Sequence, residues 1–320
     1  MIVILTCKED ASADYVIKKL IERRLAFKRI NLDEVRKSGF TTSRPVGNQW
    51  EFDDGQTRLS SDEIGVIWQR RIPRRQIMHN DPTIGRYLTQ EWRLYWEWWL
   101  NQIPSEKVLD TESSIKSASN KMLQLKVAAR LGLKVPDTVI TSNPDEYTSF
   151  IQRHKAVIAK TLGGFGQIIE ENKSFGTIFT TRIDVGNNPD PSSIRMVPII
   201  IQEEIKKSYE LRITVVDNTI FPCKIESQNS PKTQLDWRRY DFDRVPHSRV
   251  ELPTNISAKL LMFMKSFGIH FAAFDFAVTP DDEYVFFEMN PNSQWVWIEH
   301  YTDLKITDEL IEALHKRCRL

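Results

Sequence analysis

The segment Phe271 to Asn290 constrains this chain most, because two strand-like runs flank the turn Pro280-Asp-Asp-Glu283 and read most economically as a β-hairpin. With those four residues as the loop, Thr279 faces Tyr284 and Asp275 falls directly across from Glu288. Side chains alternate faces along a strand, so Ala272, Phe274, Phe276 and Val278 share a core face with Val285, Phe287 and Met289. The other face gathers Asp275, Glu288 and Asn290. Like charges opposed across a sheet destabilise it by up to about 1 kcal/mol unless a cation bridges them. Magnesium is a hard cation usually held by one or two carboxylates plus substrate phosphates. The patch therefore reads as a magnesium-phosphate platform. The same residues leave open a second reading, in which one carboxylate pairs with a Lys or Arg at a sheet edge.

At 320 residues the chain is long enough for two or three domains. A β-α-β opening is expected from Ile2 to Thr6, Ala13 to Leu25 and Ala26 to Leu32. A long helix follows from about Arg86 to Gln102, whose Trp92, Trp96 and Trp99 draw one aromatic stripe suited to a core. The polar stretch Ser105 to Ser119 reads as a boundary. A helix spans Asn120 to Leu131, stopped at Gly132, and another is signalled by Ser142-Asn143-Pro144. Strands then alternate through Ala156 to Thr161, Thr177 to Thr181, Val197 to Gln202, Glu210 to Val216 and Ile220 to Lys224. Helices at Asn255 to Phe267 and Asp308 to His315 complete the reading.

Lys and Arg total 44 against 43 Asp and Glu, a balance that argues against coating nucleic acid or adsorbing to a membrane. The apolar run Ile2 to Leu5 is far too short for a signal peptide or a membrane span, so a cytoplasmic location is expected. Cys7, Cys223 and Cys318 lack metal or disulfide spacing, and the six histidines show no paired ligand pattern. No P-loop, dinucleotide fingerprint, zincin or serine-hydrolase motif occurs.

With the Glu-x-Asn hairpin in place, the chain resembles the ATP-grasp superfamily, whose C-terminal lobe holds magnesium on an Asp followed by Glu-x-Asn. Lys121 in Ser-Ala-Ser-Asn-Lys and Lys160 in Ile-Ala-Lys-Thr-Leu match the two lysines that reach the nucleotide in that family. Gly163, Gly164 and Gly166 match its phosphate-covering glycine loop. The run Ile200 to Ile205, with Gln202, Glu203, Glu204 and Ile205 at its end, resembles the interlobe hinge that pairs with adenine. Glu210 is similar to the acid that binds ribose hydroxyls. The finer resemblance is to the microviridin-type, or graspetide, ligases that macrocyclise ribosomally made peptides. It rests on Trp68-Gln-Arg-Arg71, Asn120-Lys-Met-Leu-Gln-Leu125, Gly132-Leu-Lys-Val-Pro-Asp-Thr138, Glu210-Leu-Arg212, Asp236-Trp-Arg238 and Glu288-Met-Asn-Pro-Asn-Ser-Gln-Trp295. The chain departs from that family in reading W-Q-R-R for W-Y-R-R and Asn292-Ser293 where a Gly is common.

The resemblance implies an α/β fold with α+β lobes: an N-terminal β-α-β domain (1–110), a central lobe (111–204) and a C-terminal lobe (205–320) that clamp ATP. It implies ATP and Mg²⁺ as cofactors, the metal on Asp275, Glu288 and Asn290, and Arg212 and Arg238 as forks for the transferring phosphoryl group and the developing oxyanion. Asp236 would orient Arg238 or act as a base. The substrate would be a precursor peptide with a leader and an acidic core, the latter attracted by Arg70, Arg71, Arg74 and Arg75, and the enzyme a homodimer. Asp or Glu side chains, activated as acyl phosphates, would be joined to Ser, Thr or Lys. A ligase adding amino acids to a carboxylate, as glutathione synthetase does, and an inactive nucleotide-binding scaffold are the competing readings.

Overall fold

A computed structural model describes residues 1–35, 42–47, 49–55, 57–70, 77, 79–163, 167–169, 175–177, 179–183 and 191–319. The wholly buried run Ile2–Thr6 forms an inner strand of a parallel sheet, in the order Phe27–Asn31, Ile2–Thr6, Val66–Gln69, Val108–Leu109. Continuous apolar sequence suits a strand covered on both faces. Helix Ala11–Glu22 begins at Asp10, whose carboxylate caps the Ser12 and Ala13 amides, and it buries Ala13, Val16 and Leu20. Helix Pro82–Leu100 has Asp81 as its cap and a proline in its first turn. Its Trp96 and Trp99 are buried against Phe52 at ring separations of 5.6 and 5.9 Å, Trp92 packs beside them, and Trp98 faces solvent, as the aromatic stripe requires.

The second sheet is antiparallel, in the order Thr181–Ile183, Val157–Lys160, Ile199–Glu203, Thr138–Thr141, and helix Pro144–Arg153 packs beneath it through Tyr147, Phe150 and Ile151. The third sheet is five-stranded and antiparallel, in the order His247–Arg249, Thr219–Ile225, Tyr209–Val216, Phe271–Val278, Tyr284–Pro291. Helix Thr254–Phe267, ended by Gly268 in the left-handed region at φ 60°, covers it with Phe263 against Phe274 and Phe286. Residues 111–130 were expected with the central lobe, the first of them as a polar boundary and 120–130 as a helix; both stretches are helical, as Glu112–Ala118 and Lys121–Arg130. They send Ala118, Val127 and Ala128 into the core of this third sheet instead.

The first and third sheets share one core, in which Ile4, Val16, Leu20 and Trp68 pack with Val216, Phe271, Trp295, Leu310 and Ile311. The C-terminal helix Ile306–Arg317 is laid against Ala11–Glu22, with ion pairs from Lys19 and Arg23 to Asp308 at 2.9 Å. Burial rather than these partly exposed pairs does most of the holding. Among the described residues no helix is long and apolar enough to cross a membrane.

Candidate active site

The hairpin forms, with Asp275 opposite Glu288, by a route that differs from the expected one. Its loop is Pro280 to Asp282, closed by the Thr279 amide on the Glu283 carbonyl at 3.0 Å, with Asp282 at φ 57°. That is one residue shorter than the sequence reading. The register then shifts between Asp275 and Phe276, leaving Phe287 as an extra residue. A bulge puts two successive side chains on one face. Phe287 and Glu288 therefore both line the cleft, and Phe286, not Phe287, enters the phenylalanine core. The expectation for Phe287 is corrected, and the two offsets cancel at Asp275.

Each carboxylate has a cation. Arg212, the cross-strand neighbour of Asp275, directs Nη1 at both carboxylate oxygens, 2.9 and 2.7 Å away. Lys121 opens its helix after the cap Asn120 and sits 2.9 Å from Glu288. A cation at a helix N-terminus opposes the helix dipole, by about 0.3–1 kcal/mol, so its place there answers to the anions in front of it. Asn290 donates Nδ2 to Asp275 at 2.8 Å and to Glu288 at 3.0 Å. Burial raises the Asp275 carboxyl above its ordinary value, with Arg212 opposing and Glu288 reinforcing. Burial pushes Glu288 up as well, but Lys121, Lys160 and Arg238 outweigh it and bring the group to about 2.

The opposite wall belongs to the central sheet. Lys160 ends the strand Val157–Lys160 and donates to Gln202 Oε1 at 2.8 Å, while Gln202 donates to Thr138 at 2.9 Å. Burial lowers the Lys160 ammonium to about 8 against the pull of Glu288. Glu203 and Glu204 turn their carboxylates back into their own lobe, to the Asp137 amide at 2.9 Å and to the Arg182 guanidinium. Their amides are taken by Asp137 and Ala156 carbonyls, and the Ile205 amide has no partner among the described residues. Both acidic side chains are thus engaged within their own lobe, while residues 203–205 border the cleft. Glu210 is buried 2.8 Å from Lys207, and burial is the main reason its carboxyl titrates above the ordinary range.

The floor is the turn Trp237–Arg239. Asp236 caps it and grips Arg238 through Nε at 2.8 Å and Nη2 at 2.6 Å. Burial would raise the Asp236 carboxyl, yet its bonds with Arg238 leave it below the ordinary range. No described residue bonds Arg238 Nη1. These walls enclose a cleft of about 810 Å³, the open mouth included.

No protein-family model and no curated protein sequence matches the chain. Solved structures do. It is 27% identical to the macrocyclase MdnC from Microcystis aeruginosa MRC, bound with the precursor peptide MdnA, over 98% of this chain and 99% of that one, at a TM-score of 0.86. A RiPP-associated ATP-grasp ligase from Chryseobacterium gregarium, in complex with ADP and a leader and core peptide, is 26% identical over 99% of this chain and 96% of that one, at a TM-score of 0.88. Macrocyclase MdnB from Microcystis aeruginosa MRC is 26% identical, covers 98% of each chain and has a TM-score of 0.80. The chain is an ATP-grasp ligase.

In this ATP-grasp ligase, two carboxylates and one amide fit a magnesium ion. Among the described residues no three His, Cys, Asp or Glu gather, so phosphate or water oxygens would have to complete the shell, as magnesium favours. Turning the Asn290 amide by half a rotation would present Oδ1 in place of Nδ2. Lys121, Lys160, Gly163, Arg212 and Arg238 lie in or beside the ligase's cleft. Gly164, Gly166, Arg71, Arg74 and Arg75 lie outside the described residues.

Arg70 is not where a peptide could meet it. It is 2% exposed, bonds the backbone and side-chain oxygens of Asn292, stacks on Trp295 at 5.1 Å and lies 3.7 Å from Asp10. The side chain instead ties the first sheet to the turn after the acidic strand. Reading the basic run as one surface patch overlooked that its first arginine directly follows a buried strand. The cleft is also lined by residues to which the sequence reading gave no place in the site. Lys207 and Phe287 form a cation-aromatic contact with Lys160 on the same ring, and Trp237 lies under the Arg212 guanidinium at 5.7 Å. Only Trp237 carried a signal, through its position between Asp236 and Arg238.

Proposed function

We propose that this ligase uses ATP and Mg²⁺ to phosphorylate Asp or Glu side chains of a ribosomally made precursor peptide and closes them onto Ser, Thr or Lys as ω-esters or ω-amides. The observation that carries this reading is the opposed pair Asp275 and Glu288, ringed by Lys121, Lys160, Arg212 and Arg238, in a chain similar end to end to two peptide macrocyclases.

A carboxylate is a poor electrophile, and its activation depends on positioning and charge neutralisation. Asp275, Glu288 and Asn290 would hold magnesium, which when bound would neutralise phosphate charge. Lys121 and Lys160 would give their charges to phosphate oxygens, Lys121 leaving Glu288 to do so. Hinge backbone from Glu203 to Ile205 would read the adenine edge and Glu210 the ribose hydroxyls. Arg238, clamped by Asp236, would offer Nη1 to the substrate carboxylate or the oxyanion that forms from it. Arg212 plays its part from behind, because its fork is already engaged by Asp275 and by the Ser293 hydroxyl. We further propose that the enzyme is a homodimer working in the cytoplasm, the first of which light scattering tests.

Mass spectrometry after incubation with ATP, magnesium and a Thr/Ser- and Asp/Glu-rich peptide encoded beside the gene should show one water lost per ring. A peptide that gains the mass of an added amino acid would favour the amino-acid-adding ligase. An unchanged peptide with no ADP released would leave only a nucleotide-binding scaffold.

A further inference from the structure

We propose that Gln124, outside the cleft, is a positioning residue that sets the geometry of Glu288 and Asn290. The inference rests on those two residues being cation ligands, as read above. Their strand, Tyr284–Pro291, is the edge of the third sheet, so its outward backbone groups need partners from elsewhere. At Met289, between the two ligands, Gln124 acts as a substitute strand. The Met289 amide donates to Gln124 Oε1 at 2.9 Å, and Gln124 Nε2 donates to the Met289 carbonyl at 2.7 Å and to the Ala118 carbonyl at 2.6 Å. A carboxamide donates and accepts within one plane, which neither a carboxylate nor a hydrocarbon can do. Gln124 is 2% exposed, so water has little access to take over these bonds.

The position matters because the ladder is broken next door. Phe287 is the bulge, and on its far side the Phe286 amide is fixed by the Lys134 carbonyl at 2.8 Å. The ligand-bearing stretch is thus pinned at two outer points, Lys134 before the bulge and Gln124 after it. Gln124 lies three residues beyond Lys121 on one helix, so a single turn holds both the strand backbone and the cation of Glu288.

The test compares Gln124→Met, close in shape but without the amide, and Gln124→Glu, which keeps an acceptor for the Met289 amide and loses both donors. Val127→Ala, in the same helix and core, is the control for plain destabilisation. Mn²⁺ affinity in the presence of ADP is read by electron paramagnetic resonance, ADP affinity without metal by calorimetry, and folding by circular dichroism. Both Gln124 variants should weaken Mn²⁺ by about 10- to 100-fold, with metal-free ADP affinity within about twofold, as lost support of metal ligands does. Val127→Ala should lower the melting temperature and leave Mn²⁺ affinity alone. Wild-type Mn²⁺ affinity in a folded Gln124→Met protein, or in Gln124→Glu should the first not fold, would overturn the inference. So would an equal loss in Val127→Ala. Glu288→Gln separates the two claims: if it too keeps full Mn²⁺ affinity, the ligand reading itself is wrong.

Discussion

The two walls of the cleft are built to different weights. The wall that bears Asp275, Glu288 and Asn290 stands, among the described residues, on nineteen buried apolar side chains, Phe263, Phe274, Phe276 and Phe286 included. The wall that bears Lys160 and the hinge stands, among the described residues, on six. Local opening costs least where few apolar contacts must be broken. The heavy wall therefore suits ligands that need fixed geometry, and the light wall suits groups that must admit and release a nucleotide. Substitutions on the first should damage chemistry, and those on the second should damage binding.

The largest effect should come from the heavy wall. Glu288→Gln or Asp275→Asn should cut peptide-dependent ADP release by on the order of 1,000-fold with the fold retained. Normal turnover in either would remove the difference between the walls. Next comes stability. Phe274→Ala should lower unfolding free energy by about 3–5 kcal/mol, whereas Ile201→Ala in the light wall should sit near the low end of about 2–5 kcal/mol and raise the nucleotide KM. Denaturant titration and steady-state kinetics check the pair, and equal costs would count against unequal walls. Arg238→Ala should lower kcat about 100-fold per folded enzyme while ADP affinity stays within about threefold. Equal losses in both would deny Arg238 a role in the transition state.

The smallest expected effect is a pH dependence on the light wall. The Lys160 ammonium titrates near 8 in the free protein, below its ordinary 10.5, so it is charged below that pH and neutral above it. An anionic nucleotide favours the charged form, and ADP affinity should fall as pH rises through about 8, at most about tenfold per unit. Calorimetry of Lys160→Met should show no such fall. Because this pKa is depressed, the group also makes folding more favourable as pH rises from about 8 towards 10.5.

How much of this could be read from residue order depends on how local the determinant is. The facing of Asp275 and Glu288 follows from hairpin alternation, but it came out right because a loop one residue shorter was compensated by a bulge at Phe287. Period-two patterning has no term for a bulge, so Phe287 was assigned to the core and Phe286 was not. The aromatic helix was legible because Trp92, Trp96 and Trp99 repeat at helical spacing. The short helix Glu112–Ala118 was not, since its serines and threonine look like linker until Thr111 is seen to cap it. Gln124 and Arg70 depend on partners 165 and 222 residues away, distances at which periodicity carries no information.

The most direct test of the central claim is a crystal structure with ADP and Mn²⁺, located by its anomalous signal. The account predicts the ion between Asp275, Glu288 and Asn290 with a nucleotide phosphate completing its shell, and Lys121 drawn away from Glu288. Manganese bound elsewhere, with Lys121 and Arg212 still paired to the two carboxylates beside a seated nucleotide, would contradict it.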